Sequence, residues 1–284
     1  MAFFIFTYMY TKTNIKIDLK EFPLQGSLED LEISKMSSWF KIIGLSQNKI
    51  NSAHINIRQS HAFHIHDFKN DIFFNRCHGV YTIDELKLIL KHINPSNSFY
   101  IDIPSEIWRK TSYEFKRHIN LIGTYETLIY NLNHAHITPP FKKENKFQLK
   151  QINNELWKRL IPFLVKDKNI EFQNRFKLLP LLLNEEKWAF YSLWELEKPV
   201  AIGGFFINNN SASFCSTYIP ENERGRGIHE ILIFERLQIL KEMGLKKIVA
   251  QAYSAGPSIN NLKKQGFKLA MHSNYGCLGK CNFY

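Results

Sequence analysis

The sequence predicts an α/β protein: a mixed, mostly antiparallel sheet flanked by helices, with a unit that occurs twice. Three observations lead there. Residues 188–219 hold three strand-like runs, WAFYSLWEL, VAIGGFFI and ASFCSTYI, separated by Glu-Lys-Pro and Asn-Asn-Asn, the pattern of an antiparallel meander. Residues 226–243 then carry apolar side chains at helical spacing. Finally, residues 112–132 and 258–276 both read as short helix, turn, strand, which suggests a duplication.

Taken in order, MAFFIFTYMY suits a first strand, because Phe, Ile, Thr and Tyr fit a pleated surface. It lacks the basic start and small-residue cleavage site of a signal peptide. No run of the chain approaches the ~20 apolar residues of a membrane span. HAFHIHD reads as a strand whose alternation puts His64 and His66 on one face and His61 off it, with Asp67 behind. No cysteine or second histidine pair completes a ligand set nearby, so no metal is assigned. Thr82 and Glu85 have capping-box spacing ahead of Leu86, Leu88, Ile89 and Leu90, which predicts a helix. SFYIDIP (98–104) is a strand ending at proline. Thr111 and Glu114 repeat the capping spacing before a short helix, and TLIYNL (127–132) reads as a strand.

The double proline and charge cluster of HAHITPPFKKENKF mark a boundary, dividing the chain into domains 1–138 and 147–284. The second half opens with a strand at 147–152 and helical patterns at 154–166 and 171–183. The meander follows. On the 226–243 helix, Ile228, Leu232, Ile233, Leu237, Ile239, Leu240 and Met243 fill one half of the wheel, and Gly244 stops it. A strand (246–253), a short helix (257–265) and a strand (267–272) complete the pattern.

Lys and Arg outnumber Asp and Glu by 37 to 26 over 284 residues, a net charge of +11. That favours an anionic partner: a phosphorylated cofactor, an acidic substrate or nucleic acid. The basic residues are spread along the chain without a tract or an aromatic-interleaved motif, which argues against nucleic acid. Cys77, Cys215, Cys277 and Cys281 form no CxxC pair and read as reduced thiols of a cytoplasmic protein.

The most informative stretch is ENERGRGIHE (221–230), between a strand and the long helix. A helix N-terminus presents unpaired N–H groups and partial positive charge. Glycines let the backbone approach a ligand, so this is a ready anion site, with Arg224 and Arg226 adding charge.

Here the chain resembles the GNAT superfamily of acyl-CoA-dependent N-acyltransferases. Their phosphate loop, Gln/Arg-x-x-Gly-x-Gly/Ala, is matched by Arg224-Gly225-Arg226-Gly227-Ile228-His229. Downstream, Ser258, Asn261, Lys264, Gly266 and Phe267 match a second motif, Ser-x-x-Asn-x-x-Arg/Lys followed by Gly-Phe. The resemblance covers residues 147–275. NRCHGV (75–80), the helix after it and FYIDIP resemble the degenerate leading half of tandem GNAT proteins, where no phosphate loop appears.

The resemblance implies a duplicated GNAT fold and a cytoplasmic enzyme that moves an acetyl group from acetyl-CoA to a primary amine by direct attack on the thioester. The acceptor would be a small molecule, peptide or protein. The backbone of Thr217, Tyr218 and Ile219 would hold the pantetheine, with one N–H facing the thioester oxygen. The 224–229 loop would hold the pyrophosphate. Asn261 would touch the pantetheine arm, and Lys264 would approach a phosphate. For the proton donor, Tyr253 is the first candidate, against an interfacial tyrosine with its hydroxyl in water. Ser258 is the second, against an N-cap of the short helix. Water relayed to Glu195 is one route for a base.

There are departures from the family pattern. Leu262 stands where many members carry a tyrosine acid, which leaves a non-catalytic acyl-CoA-binding module as the alternative. His229 replaces the small last residue of the loop. Its ring either packs beside the pantetheine–pyrophosphate junction or turns away as packing.

Overall fold

The computed structural model describes residues 28–45, 52–57, 60–65, 68, 71, 73–80, 82–92, 99–134, 137, 139–140, 146–164, 173 and 176–278. The strand predicted at 1–10 lies outside them, as do His66 and Asp67.

Among the described residues one sheet of 11 strands runs through the molecule. The leading half supplies β1 (Ser52–Ile57), β2 (Ser60–Ile65), β3 (Arg76–His78), β4 (Phe99–Pro104) and β5 (Ile119–Asn131). The second half supplies β6 (Phe147–Gln151), β7 (Trp188–Glu195), β8 (Lys198–Asn208), β9 (Ser211–Tyr218), β10 (Lys247–Tyr253) and β11 (Lys268–Leu278). The spatial order is β1-β2-β3-β4-β11-β5-β10-β9-β8-β7-β6.

That order contains an exchange. β5 lies between β10 and β11, and β11 lies between β4 and β5. Each half therefore borrows a strand from the other. Both strands are longer than their sequence patterns predict, because each pairs on two sides. At Gly276 the approach of β5 leaves no room for a side chain: a Cβ there would lie 2.4 Å from the Ile119 side chain.

The repeat seen in the sequence is a repeat of topology. β3 and β4 pair in parallel, and so do β9 and β10. Parallel neighbours need a crossover. It is α2 (Ile83–His92) in one case and α6 (Ile228–Glu242) in the other. A short helix follows each second strand: α3 (Ser105–Lys110) with α4 (Tyr113–Lys116), and α7 (Pro257–Lys264).

Local signals hold with adjustments. Thr82 and Glu85 form the reciprocal cap at the head of α2, at 3.1 and 3.3 Å. The α4 cap is Ser112, whose Oγ accepts from Phe115 N at 3.2 Å, rather than Thr111. Thr111 is taken up ending α3, where its hydroxyl donates to Trp108 O at 2.8 Å. Over 171–183, the described residues 176–178 are helical and run into a 3-10 turn at Leu179–Leu182. α6 is buried on more than the predicted stripe: Ile231 and Phe234 are inside, and so is Arg236, whereas Met243 is 51% exposed.

The sequence reading missed α1 (Leu28–Leu45). It lies on the sheet face opposite α6 and joins the halves: Trp39 meets Phe73 and Phe74 of the leading half and Trp188 of the second edge-on, at 5.1, 5.3 and 5.3 Å. α5 (Asn154–Leu164) covers the same face further along, in the same core. Cys77 and Cys215 are free and buried, but Cys277 is disulfide-bonded, which removes the reduced-thiol argument at that position.

Candidate functional site

The candidate site lies where β9 and β10 part. The two strands pair only through Ser211–Ser213 and Lys247–Val249, and beyond that they separate. β9 is also bulged against β8, because Ile202 faces Tyr218 while Gly204 faces Cys215. Ser216 takes up the extra residue at φ 50°, a conformation that turns its neighbours' backbone out of the ladder. Sequence reasoning placed Thr217, Tyr218 and Ile219 at this opening. The Thr217 and Tyr218 side chains and the Ile219 carbonyl do other work. Thr217 Oγ1 accepts from buried Arg236 at 3.2 Å, the Tyr218 ring packs edge-on against Phe163 and Phe176, and the Ile219 carbonyl accepts from Arg224 Nε at 3.2 Å.

The chain then makes one 3-10 turn, Glu221–Glu223, and enters the glycine loop. Gly225 and Gly227 sit at φ 76° and 77°, in the left-handed region that glycine occupies without cost. Nothing lies within 4 Å of where a Cβ would stand on either. Gly227 is the N-cap of α6 and makes no side-chain cap. The first helical bond is Ile231 N to Gly227 O at 3.2 Å, so the N–H groups of Gly227, Ile228, His229 and Glu230 have no helical partner. The loop is an open arc of N–H donors on a positive helix end.

The two arginines differ. Arg226 donates to both oxygens of Glu195 at 2.7 Å and also pairs with Glu223, which is 2% exposed and also holds Lys198. The Arg226 guanidinium therefore staples the loop to β7, and Glu195, with Lys146 at 3.2 Å on its other side, is held in an ion network. Both its arginine and its lysine keep the Glu195 carboxyl below the usual range, which suits a structural anion rather than a base. Arg224 is exposed.

α7 closes the other side. Asn261 Nδ2 lies 3.0 Å from His229 Nδ1, so two residues assigned to the cofactor from separate motifs touch. Burial, then the charge of Arg236, pulls the His229 pKa down to about 4, leaving a neutral ring near pH 7. Lys264 reaches Glu230 at 3.0 Å, and Lys263 reaches Glu126 of β5 at 2.6 Å, so a strand of the leading half anchors this helix. Pro257, Asn260, Asn261, Lys263 and Lys264 border an open groove of about 530 Å³.

Tyr253 ends β10, 44% exposed, with its ring stacked on Tyr125 at 4.5 Å. Burial first, and then Tyr253, push the Tyr125 hydroxyl well above the usual tyrosine range. Ser258 is not a cap: Gly256 holds the N-cap position and Pro257 starts the helix. Leu262 is buried in one apolar cluster with Phe267 and Ile259.

Sequence reasoning missed Arg236. It is 1% exposed and donates to Leu232 O at 3.2 Å, Gly204 O at 3.1 Å and Thr217, with its guanidinium 4.0 Å from the Phe214 ring centre. A basic residue four positions after an apolar one gives no signal of burial. The leading half offers a contrast at α2, where side chains bond two of the N-terminal N–H groups, those of Thr82 and Glu85. Among the described residues, no group of three His, Cys, Asp or Glu side chains gathers as metal ligands, and no described helix is long and apolar enough to cross a membrane.

No protein-family model and no curated protein matches the chain. Solved structures do. A GCN5-related N-acetyltransferase from Kribbella flavida superposes with a TM-score of 0.61 at 8% identity, covering 89% of this chain and 96% of that one. A GCN5-related N-acetyltransferase from Sphaerobacter thermophilus gives 0.53 at 13% identity, over 80% and 75%. A tandem GNAT protein from the clavulanic acid biosynthesis pathway gives 0.51 at 10% identity, over 70% and 69%. With its parting parallel strands and the crossover helix between them, the chain has the fold of the GCN5-related N-acetyltransferases.

Proposed function

We propose that the chain is an N-acetyltransferase that uses acetyl-CoA and acetylates an amine. In this reading residues 147–284 bind the cofactor, and residues 1–138 are a degenerate half that shapes the acceptor side. The observation that carries it is the bare glycine arc at the head of α6, beside the gap between β9 and β10. The capped head of α2 supports a single cofactor site, because side chains already take the N–H groups of Thr82 and Glu85 there.

The residues present fit the cofactor. The backbone of residues 224–229 offers N–H groups to the pyrophosphate, and exposed Arg224 adds charge beside them. Arg226 contributes by fixing the loop. His229 presents its backbone N–H to the loop and its ring to Asn261, which fixes the Asn261 amide on the pantetheine side. Lys264 stands at the phosphate end of α7. Bound acetyl-CoA supplies an acetyl group activated as a thioester. By the resemblance, one backbone N–H of Thr217, Tyr218 or Ile219, just past the β9 bulge, would face the acyl oxygen where negative charge develops. Tyr253 holds a hydroxyl at the strand end, where it can deliver a proton; Ser258, inside the first turn of α7, is the second donor.

Calorimetric titration of the full chain with acetyl-CoA tests this. Saturable binding is expected, and it should vanish in Gly227→Glu, which places a carboxylate in the arc. Folded protein that binds nothing at millimolar cofactor would refute the proposal. Tight binding with no release of free CoA for any amine would favour the non-catalytic module.

A further inference from the structure

On the sheet face that α1 covers, a cavity of about 20 Å³ lies at the junction of the halves. Its walls come from α1 (Glu32), β3 (Arg76, His78), β4 (Asp102), β5 (Tyr125), β10 (Gln251) and β11 (Ser273). Most of the charges around it are spent on each other. Arg76 Nε donates to Asp102 Oδ2 at 3.0 Å. Lys35 Nζ donates to Glu32 Oε2 at 2.6 Å and to Ser213 Oγ at 3.3 Å. Ser213 is the last β9 residue paired with β10, so this contact ties the cavity wall to the place where the strands part.

Two acceptors are left over. Glu32 Oε1 and His78 Nε2 are buried and have no hydrogen-bond partner among the described residues. Glu32 is 4% exposed and His78 3%. His78 Nδ1 faces Asp102 Oδ2 at 3.6 Å; with the ring proton on that side, Nε2 keeps a lone pair. Burial and then Arg76 hold the His78 pKa well below the usual histidine range, so the ring is neutral. Burial opposes the charge on Glu32, but Lys35 and Arg76 outweigh it and keep the carboxyl ionised. A buried acceptor without a donor is costly, so the cavity selects an occupant with N–H or O–H groups.

Size and charge narrow the occupant. The cavity has room for one water-sized head and no more. The charges at its wall balance, with Glu32 and Asp102 against Arg76 and the Lys35 that pairs with Glu32 from behind, so an added cation would meet two cations as well as two anions. A neutral –NH2 group fits better: it has two N–H donors for two acceptors, and its lone pair is left free. Gln251, on the parted stretch of β10, is exposed and forms the mouth.

We propose that this cavity seats the reacting amino group of the acceptor as the free base of an unhindered primary amine, with Glu32 Oε1 and His78 Nε2 accepting its two N–H bonds. The inference rests on the acetyltransferase reading, whose acceptor the resemblance already implies to be a primary amine, and adds to it the residues that present the nucleophile. Both anchoring side chains precede the 139–146 linker, which gives the leading half a part in the reaction. Secondary amines lack the second N–H, and quaternary ammonium lacks both.

The test is calorimetric binding of n-butylamine to the full chain, without cofactor, from pH 7 to pH 9. The other titratable groups around the seat are Tyr125, Tyr253 across its ring, His61 beside His78 and the Cys215 thiol of β9, which interacts with Glu32 and Lys35. The neutral fraction of an amine with pKa about 10 rises roughly tenfold per pH unit, and the affinity should rise with it. N-methylbutylamine should bind about tenfold more weakly, and tetramethylammonium not at all. Glu32→Gln should weaken n-butylamine about tenfold or more. Should the loss of Lys35's partner unfold that variant, Ser273→Leu, which fills the cavity from β11, should abolish binding instead. Affinity that stays flat with pH would overturn the proposal in favour of a cation seat. So would equal binding of secondary and primary amines, unchanged binding in Ser273→Leu, or no binding, which would leave only water in the cavity. Acetyl-CoA titration of the same samples separates the two readings: an intact cofactor isotherm with failed amine binding sinks this inference alone.

Discussion

His229 Nδ1 lies 3.0 Å from Asn261 Nδ2 and joins the head of α6 to α7. One residue closes the glycine loop and the other belongs to the motif more than thirty positions downstream. The pair converts two separate sequence signals into one wall of the cofactor groove. His229→Ala and Asn261→Ala should each weaken acetyl-CoA about five- to tenfold, in line with a net hydrogen bond of about 1 kcal/mol. The double variant should lose less than the sum, with a coupling of about 0.5–1 kcal/mol by calorimetry. Full additivity, or unchanged affinity in His229→Ala from pH 6 to pH 8, would mean that the ring is only packing.

The same histidine predicts acid sensitivity. Its folded pKa, about 4, is below the unfolded value of 6.5, so the unfolded chain binds more protons between them. His229 therefore costs no stability above pH 6.5, and stability falls as pH drops through that value toward 4. The loss is bounded at roughly 3 kcal/mol. His54, also held to about 4 by burial and then by His61, adds in the same window. Urea midpoints of His229→Gln should decline less steeply between pH 6.5 and pH 4.5 than those of the parent. Parallel curves would count against a depressed His229.

Arg224 and Arg226 should separate by function although they are two residues apart. Arg226→Met leaves buried Glu223 with Lys198 as its one charged partner, beside the Asn222 amide at 3.4 Å, and should cost about 1–2 kcal/mol of stability, discounted for the exposure of Arg226 itself. Arg224→Met should leave stability within about 0.5 kcal/mol. It should weaken acetyl-CoA a few-fold and reduce the dependence of that binding on salt. Thermal melts and titrations at two salt concentrations read both effects, and interchanged results would reverse the assignment.

Tyr253→Phe keeps the ring stacked on Tyr125 and removes only the hydroxyl. If that hydroxyl delivers the proton, kcat should fall about a hundredfold while acetyl-CoA Kd holds. A fall of less than threefold would transfer the role to Ser258 or to water.

The sequence by itself determined the elements whose signals are local. The meander, the α6 and α7 helices, the Thr82–Glu85 cap and the glycine arc follow from side-chain period, from cap spacing and from the positive φ that glycine permits. The helix–turn–strand echo likewise pointed to a repeated topology. Only the tertiary structure decided the rest. β5 and β11 look like ordinary strands, and nothing in either sequence names a neighbour in the other half. Arg226 reads as a phosphate ligand until β7 brings Glu195 to it. Glu32 and Lys35 gave no signal before α1 was laid across both halves, with Lys35 against Ser213, 178 residues away. Local pattern fixes how a segment folds. Which charges lose water, and which acceptors are left facing a cavity, depends on contacts between segments that chain distance does not encode.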